Sequence, residues 1–238
     1  LDLKQQGVIE DFQLLFYIIQ PPTPERVKYD IFDRVNRGGT PLNKQEMRNA
    51  LYRGRCTRML DKLCCSPEFL IATGRSINKE RMKDQYVVLR AMAFLMLHRG
   101  EFKDIPALQY RGDIDDFLAR FMVYVNDNAP EKLIVDYENL FIRCMQISYD
   151  LLGENGFRFS GNGIRRPINM PLFEALSYLF SFVPEKIDYT WVSRLILDIE
   201  SVKEEFDDSR YFSGNIDSTT SVSFRFDRMD KIINRIQL

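Results

Sequence analysis

Two arginines and two glycines around residue 37 have the types and the spacing of an anion-binding loop. Gly38 and Gly39 adopt positive φ at little steric cost, so they can end a helix in a tight bend. Arg34 and Arg37 lie next to this bend in the sequence. Their guanidinium groups, together with the backbone N–H groups of the bend, could bind a phosphate or another anion.

The residues after the bend are typical of a helix start. Pro41 favours a turn, Asn43 offers a side-chain oxygen to the free N–H groups of the next helix, and Glu46 can reach back to Asn43. The positive end of that helix dipole would strengthen an anion site. The same residues are also consistent with a well-capped connection between two helices that binds no ligand, because glycine caps are common.

Part of this stretch matches the motif of a known family. The pattern Phe-x-x-x-Asn-x-x-Gly-x-x-Leu is formed by Phe32, Asn36, Gly39 and Leu42. It resembles the motif of a domain-of-unknown-function family that is typified by the GmrSD-type modification-dependent restriction proteins of bacteria. The resemblance covers roughly the first quarter of the chain and includes Glu46, Arg48, Asn49 and Ala50.

The resemblance implies a nucleotide-handling protein. In that family an N-terminal ParB/sulfiredoxin-like domain binds and hydrolyses nucleotides and carries an upstream Asp-Gly-Gln-Gln-Arg motif. This sequence lacks that motif and starts at Leu1, so we expect it to be the C-terminal portion of a longer protein.

For the intact protein the resemblance implies nucleotide-dependent DNA restriction or phage defence. The implied cofactor is a nucleoside triphosphate with Mg²⁺, bound mainly by the missing N-terminal part, and this chain alone is expected to be inactive. The nucleotide or phosphate site implied within this chain comprises Arg34, Asn36, Arg37, Gly38, Gly39 and Arg48.

The charge of the chain excludes a protein whose whole surface binds nucleic acid. The formal net charge is −1 over 238 residues, so any binding of DNA must be local. Residues 25–62 include ten basic and only five acidic side chains. A solvated helix face also explains such an excess.

The apolar and cysteine patterns indicate a cytoplasmic protein. The longest early apolar run, residues 14–19, is too short to cross a bilayer, and no membrane contact is expected. The four cysteines lack zinc-finger spacing and are typical of reduced structural residues. The candidate partners are DNA and a partner protein or second subunit.

We predict a mainly α fold: a multi-helix bundle with one N-terminal strand left over from a missing ParB/sulfiredoxin-like α/β domain. Residues 11–20 are rich in aromatic and branched side chains and end at two prolines, which predicts the strand. Helical periodicity predicts helices at residues 24–36, 43–63, 79–98, 112–126, 130–152, 169–182 and 189–206, and a last one that begins near Phe226. We place the end of the ParB/sulfiredoxin-like domain at residues 1–63 and a helical domain at residues 64–238.

The loop at residues 153–166 holds a second group of arginines. Arg158, Arg165 and Arg166 surround glycines, and Phe157 and Phe159 lie among them. Guanidinium groups beside aromatic rings are typical of surfaces that contact single-stranded nucleic acid. A flexible surface loop with solvated charges is the alternative.

Few residues suggest catalysis. His98 is the only histidine and ends an apolar helix, where it would interact with the helix dipole. The carboxylates at residues 113–116 and 204–208 could bind Mg²⁺ but are more typical of solvated helix ends, and we predict no metal site. Two functions therefore remain open: a part of a nucleotide hydrolase, or a non-catalytic helical module for protein or nucleic-acid interaction.

Overall fold

The computed structural model describes residues 2–16, 18, 20, 23, 25–36, 41–160, 164–184 and 189–236. The chain divides into two compact units, Leu1–Leu42 and Asn43–Leu238. The described residues form eleven α-helices and no strand, so the predicted mainly α helical bundle is confirmed. The domain boundary that we placed at residues 63 and 64 stays a prediction.

The described residues of the first unit form two helices. They are α1 (Leu3–Glu10), which was not predicted, and α2 (Glu25–Asn36), which agrees with the predicted helix. Helix α1 has a weak sequence signal because it buries none of its residues; the Asp2 side chain starts it by accepting a hydrogen bond from the backbone N–H of Gln5 at 2.8 Å.

The strand predicted at residues 11–20 is not formed in the described part of that segment. A strand needs a neighbour that pairs with its backbone N–H and C=O groups, and the described residues supply none. Five large apolar side chains of the segment are exposed by two thirds or more: Phe12, Leu14, Leu15, Phe16 and Ile18.

The second unit contains nine helices among the described residues. They are α3 (Lys44–Leu51), α4 (Arg55–Cys64), α5 (Pro67–Ala72), α6 (Lys83–His98), α7 (Ile114–Asp127), α8 (Glu131–Leu152), α9 (Met170–Phe180), α10 (Tyr189–Asp207) and α11 (Thr219–Ile236). Helix α9 packs against α6, α8 and α11, and all of its residues from Pro171 to Phe180 are buried. It is the central helix of this unit.

The single helix predicted at residues 43–63 is wrong, because the chain breaks between α3 and α4. Gly54 lies at the break, and glycine is a poor helix former. The side chain of Asn126 then satisfies the backbone groups that the break leaves free: its Oδ1 accepts from the Cys56 N–H at 2.9 Å, and its Nδ2 donates to the Tyr52 C=O at 2.9 Å.

Two further differences from the prediction have local causes. Helix α5 was missed because it is only six residues long; Ser66 accepts from the Phe69 N–H and starts it. The last helix begins at Thr219 and not near Phe226, because Ser218 Oγ accepts from the Ser221 N–H at 3.1 Å.

Replacing Gly54 with alanine is expected to lower the free energy of unfolding by about 1 to 2 kcal/mol, roughly the value of the two hydrogen bonds of Asn126. A Cβ atom at Gly54 would lie 2.5 Å from Asn126 Oδ1, so the amide must move away. Urea unfolding measures the loss. In an Asn126→Ala background the same substitution should cost much less, and an undiminished loss there would contradict this explanation.

No helix within the described ranges is long and apolar enough to span a membrane.

Candidate functional site

A cleft of about 550 Å³ lies where the starts of α3, α6 and α7 meet, and we call it the α3–α6 cleft. Its charged lining consists of Lys44, Arg48, Arg81, Lys83, Glu80 and Asp115. Asn43 and Tyr86 complete part of the wall. All of these residues belong to the second unit.

The predicted start of α3 is confirmed and forms one edge of the cleft. Asn43 Oδ1 accepts from the N–H groups of Gln45 at 2.8 Å and Glu46 at 2.9 Å, and Glu46 Oε2 accepts from the Asn43 N–H at 2.6 Å. Asn43 Nδ2 also donates to the Arg81 C=O at 2.7 Å. The helix cap therefore connects α3 to the segment that leads into α6.

The hydrogen bond from Arg81 holds the pKa of Glu46 below its ordinary value, and the Asn43 N–H lowers it further. Arg81 Nη2 lies 3.0 Å from Glu46 Oε2. The carboxylate of Glu46 thus stays ionised and keeps Arg81 at the edge of the cleft.

Arg48 is the buried cation of the cleft, with 1% of its surface exposed. Its Nε and Nη2 donate to Gln45 Oε1 at 3.1 and 3.0 Å, and its Nη1 lies 2.8 Å from Asp115 Oδ1. Lys44 pairs with the same carboxylate. Burial alone would raise the pKa of Asp115, but the hydrogen bonds from Lys44 and Arg48 bring it below its ordinary value. Asp115 therefore forms ion pairs with two cations.

The cleft carries an excess of positive charge. Its lining has four basic and two acidic side chains, and Glu46, which pairs with Arg81, is a third carboxylate beside them. Lys83 forms no ion pair within the part of the chain that the structure describes. The backbone of Arg81 and of Met82 has a φ of 56°, a value that residues other than glycine rarely adopt. This strained pair sets the start of α6 at Lys83. Such an arrangement of Lys and Arg suits phosphate oxygens.

No family model, curated protein or solved structure matches this chain. The chemistry of its surfaces is therefore the basis for assigning a function.

The residues of the predicted nucleotide site fall in different places. Arg48 lines the α3–α6 cleft, whereas Arg34 is exposed in the last turn of α2 and Asn36 ends that helix. Arg37, Gly38 and Gly39 lie outside the described residues, and so does the bend that they were predicted to form. The predicted site did not include the other charged residues of the cleft, because most of them come from later in the chain and share no motif with Arg48. They are Lys44, Glu80, Arg81, Lys83 and Asp115.

Arg158, Arg165 and Arg166 do line one cleft, of about 620 Å³, between the end of α8 and α10. We call it the α8–α10 cleft. The nearby rings do not form the expected stacking surface, because Phe157 and Phe159 are 1% and 6% exposed and belong to the core.

A third group of charges is fully buried and was not predicted. Glu174 on α9 is 0% exposed and lies between Arg90 on α6 and Arg225 on α11. Arg225 Nη2 is 2.6 Å from Glu174 Oε2, and Arg90 Nη2 is 2.6 Å from Asp217 Oδ1. Each guanidinium thus has a carboxylate partner. This buried network holds three helices together and opens into neither of the two clefts.

The acidic runs that could have bound Mg²⁺ have other partners. Asp113 starts α7 by accepting from the N–H groups of Asp115 and Asp116, while Asp207 pairs with Arg166 and Glu205 with Arg228. Within the described residues, no group of three or more His, Cys, Asp or Glu side chains could hold a metal ion.

His98 and the three buried cysteines show no sign of reactivity. His98 ends α6 as predicted, but burial lowers its pKa to about 3, so it is neutral and does not act as a cation at the helix end. Cys56, Cys64 and Cys144 are buried and free. Burial raises the pKa of the Cys144 thiol to about 12, which leaves it unreactive.

Proposed function

We propose that this chain is the phosphate-binding helical part of a bacterial GmrSD-like protein that acts in nucleotide-dependent DNA restriction or phage defence. The α3–α6 cleft binds the phosphate groups of a nucleoside triphosphate. The catalytic groups and most of the Mg²⁺ site lie in the N-terminal part that the family resemblance implies. A cytoplasmic location belongs to the same proposal.

The charge imbalance of the α3–α6 cleft carries this proposal. Asp115 is shared by Lys44 and Arg48, and Lys83 adds a further positive charge at the start of α6. Phosphate oxygens would add negative charge beside the exposed Lys44 and Lys83, and the buried Arg48 would contribute its positive charge from beneath them. Arg48 also belongs to the stretch that resembles the family motif.

The alternative is a non-catalytic module that binds protein or nucleic acid. The local excess of basic side chains between residues 25 and 62 favours contact with DNA in this case. The two functions differ in the ligand that binds. A nucleotide-binding chain would bind a free nucleoside triphosphate, whereas a DNA-binding module would not.

The Lys44→Ala/Lys83→Ala variant is expected to bind nucleoside triphosphate at least tenfold more weakly than the wild-type chain, because two phosphate contacts are lost. A tenfold change corresponds to about 1.4 kcal/mol. Both lysines are exposed, so the variant should fold. Isothermal titration with ATP, GTP and inorganic triphosphate, with and without Mg²⁺, measures the dissociation constants.

Lys132→Ala is the matched control, since Lys132 is an exposed lysine on α8 away from the cleft. It should bind like the wild type. The absence of any binding by the wild-type chain at about 1 mM ligand, equivalent to a binding free energy weaker than about −4 kcal/mol, would overturn the proposal. Binding of duplex DNA in the same experiment would then support the alternative.

A further inference from the structure

The α8–α10 cleft contains two cations that are almost completely buried. Arg158 is 4% exposed and Lys203 is 5% exposed, although both line an open cleft of about 620 Å³. Arg165 and Arg166 lie at its rim, and Glu154 and Glu200 are the acidic residues of its lining. The volume is typical of a site for a small molecule.

Arg158 lacks a carboxylate partner among the described residues. Its guanidinium donates to the C=O groups of Glu154, Arg166 and Thr73 and to Ser76 Oγ, all of which are neutral oxygens. Four of its five N–H groups are used in this way. Burial and the neighbouring Arg165 lower its pKa. A buried charge without a counter-charge is costly, and an anion in the cleft would reduce that cost.

Each of the other three cations of the cleft has one carboxylate partner. Lys203 Nζ lies 3.0 Å from Glu200 Oε1, and Arg165 Nη2 lies 2.8 Å from Glu154 Oε2. Arg166 pairs with Asp207, outside the lining of the cleft. Four basic residues thus have three carboxylate partners, and the buried Arg158 is the cation that has none among the described residues.

We propose that the α8–α10 cleft binds a small organic anion whose phosphate or carboxylate group contacts Arg165, Arg166 and Lys203. Leu152 and Ile164 provide apolar lining for the rest of the molecule, and the Ile164 side chain is 79% exposed. This site is separate from the α3–α6 cleft and does not depend on the function proposed for it.

A small ligand fits the cleft better than a nucleic acid strand. Phe159 is buried beneath Arg166, whose guanidinium carbon lies 5.4 Å from the ring centre, so no ring is free to stack on a base. Glu154 and Glu200 would repel the successive phosphates of a polyanion.

Phenyl phosphate and phenylacetate test the proposal with the two possible anionic groups on one apolar body. Thermal unfolding and isothermal titration of the full chain should show saturable binding of at least one of them, with a dissociation constant of about 1 mM or lower. Sodium chloride at equal ionic strength should give no such stabilisation. Binding of only phenyl phosphate or only phenylacetate supports the site and identifies its anionic group.

The Arg165→Gln/Arg166→Gln variant should weaken this binding at least tenfold. Arg228→Gln is the matched control, because Arg228 forms a similar partly exposed ion pair with Glu205, and neither residue lines the cleft. The Lys44→Ala/Lys83→Ala variant should bind the probe like the wild type, which separates this site from the α3–α6 cleft. Failure of both probes, unchanged affinity in the double arginine variant, or binding of a single-stranded oligonucleotide in place of the probes would overturn the proposal.

Discussion

Replacing Glu174 with glutamine is expected to lower the free energy of unfolding by about 3 to 5 kcal/mol, the usual cost of removing one partner from a buried ion pair. The glutamine keeps the shape of the side chain but removes the charge that Arg90 and Arg225 share. Arg225 is 0% exposed and would keep no carboxylate partner among the described residues.

The two arginines should respond differently to this substitution. Arg90 retains the carboxylate of Asp217, whereas Arg225 retains no carboxylate among the described residues and keeps the hydrogen bond from its Nη1 to the Ile216 C=O at 2.7 Å. Adding Arg225→Met to the Glu174→Gln variant removes the unpaired charge. The double variant should therefore recover part of the lost stability.

Urea unfolding of the two variants and the wild type measures these differences. Glu204→Gln is the control, since Glu204 is exposed on α10 and should change stability by less than about 0.5 kcal/mol. A loss below about 1 kcal/mol for Glu174→Gln, or a further loss in the double variant, would show that the buried network contributes little.

The second large effect is a loss of stability at acidic pH. We expect the wild-type chain to lose about 2 kcal/mol of stability between pH 7 and pH 5 through His98, and the His98→Phe variant to lose much less. One proton that binds the unfolded chain but not the folded chain lowers the free energy of unfolding by about 1.4 kcal/mol for each pH unit.

The direction follows from the buried position of His98. Burial, and then the charge of Arg225, lower the pKa of the folded state to about 3, whereas the unfolded chain has the ordinary value near 6.5. As the pH falls below 6.5, His98 binds a proton in the unfolded state but not in the folded state. Stability is therefore complete above the unfolded pKa and decreases as the pH falls towards the folded pKa.

Phenylalanine is a suitable replacement because the imidazole stacks on Phe226 with ring centres 3.6 Å apart and packs near Tyr178. The Nε2 atom of His98 is buried without a hydrogen-bond partner in the described residues, so the variant loses no observed bond of that atom. Urea unfolding at half-unit intervals of pH measures both slopes. Because the chain has one histidine, equal slopes for variant and wild type would exclude His98 as the cause.

The sequence predicted the long helices well and their interruptions poorly. Helices α6 to α10 are eleven residues or longer and rich in apolar side chains, so their positions could be inferred to within a few residues. The break at Gly54 depends on Asn126, which lies far along the chain and only reaches the backbone of residues 52–56 after folding. No local pattern could indicate that contact.

In the candidate sites, too, local features could be predicted from the sequence and long-range contacts could not. The Asn43–Glu46 cap was predictable because its residues are three apart on one helix start. Asp115 approaches Arg48 only because α7 packs near α3, and a sequence offers no signal for such a long-range pair. Arg158 was identified as a surface arginine, but its burial follows from the C=O groups that surround it.

The central position of α9 has a consequence for how the second unit comes apart. Its neighbours α6, α8 and α11 lie far apart in the sequence, and the residues of α9 from Pro171 to Phe180 are all buried. Water therefore reaches the backbone amides of α9 only when this surrounding body opens as a whole. The unit behaves as one cooperative block around that helix, while its outer helix ends are free to fray.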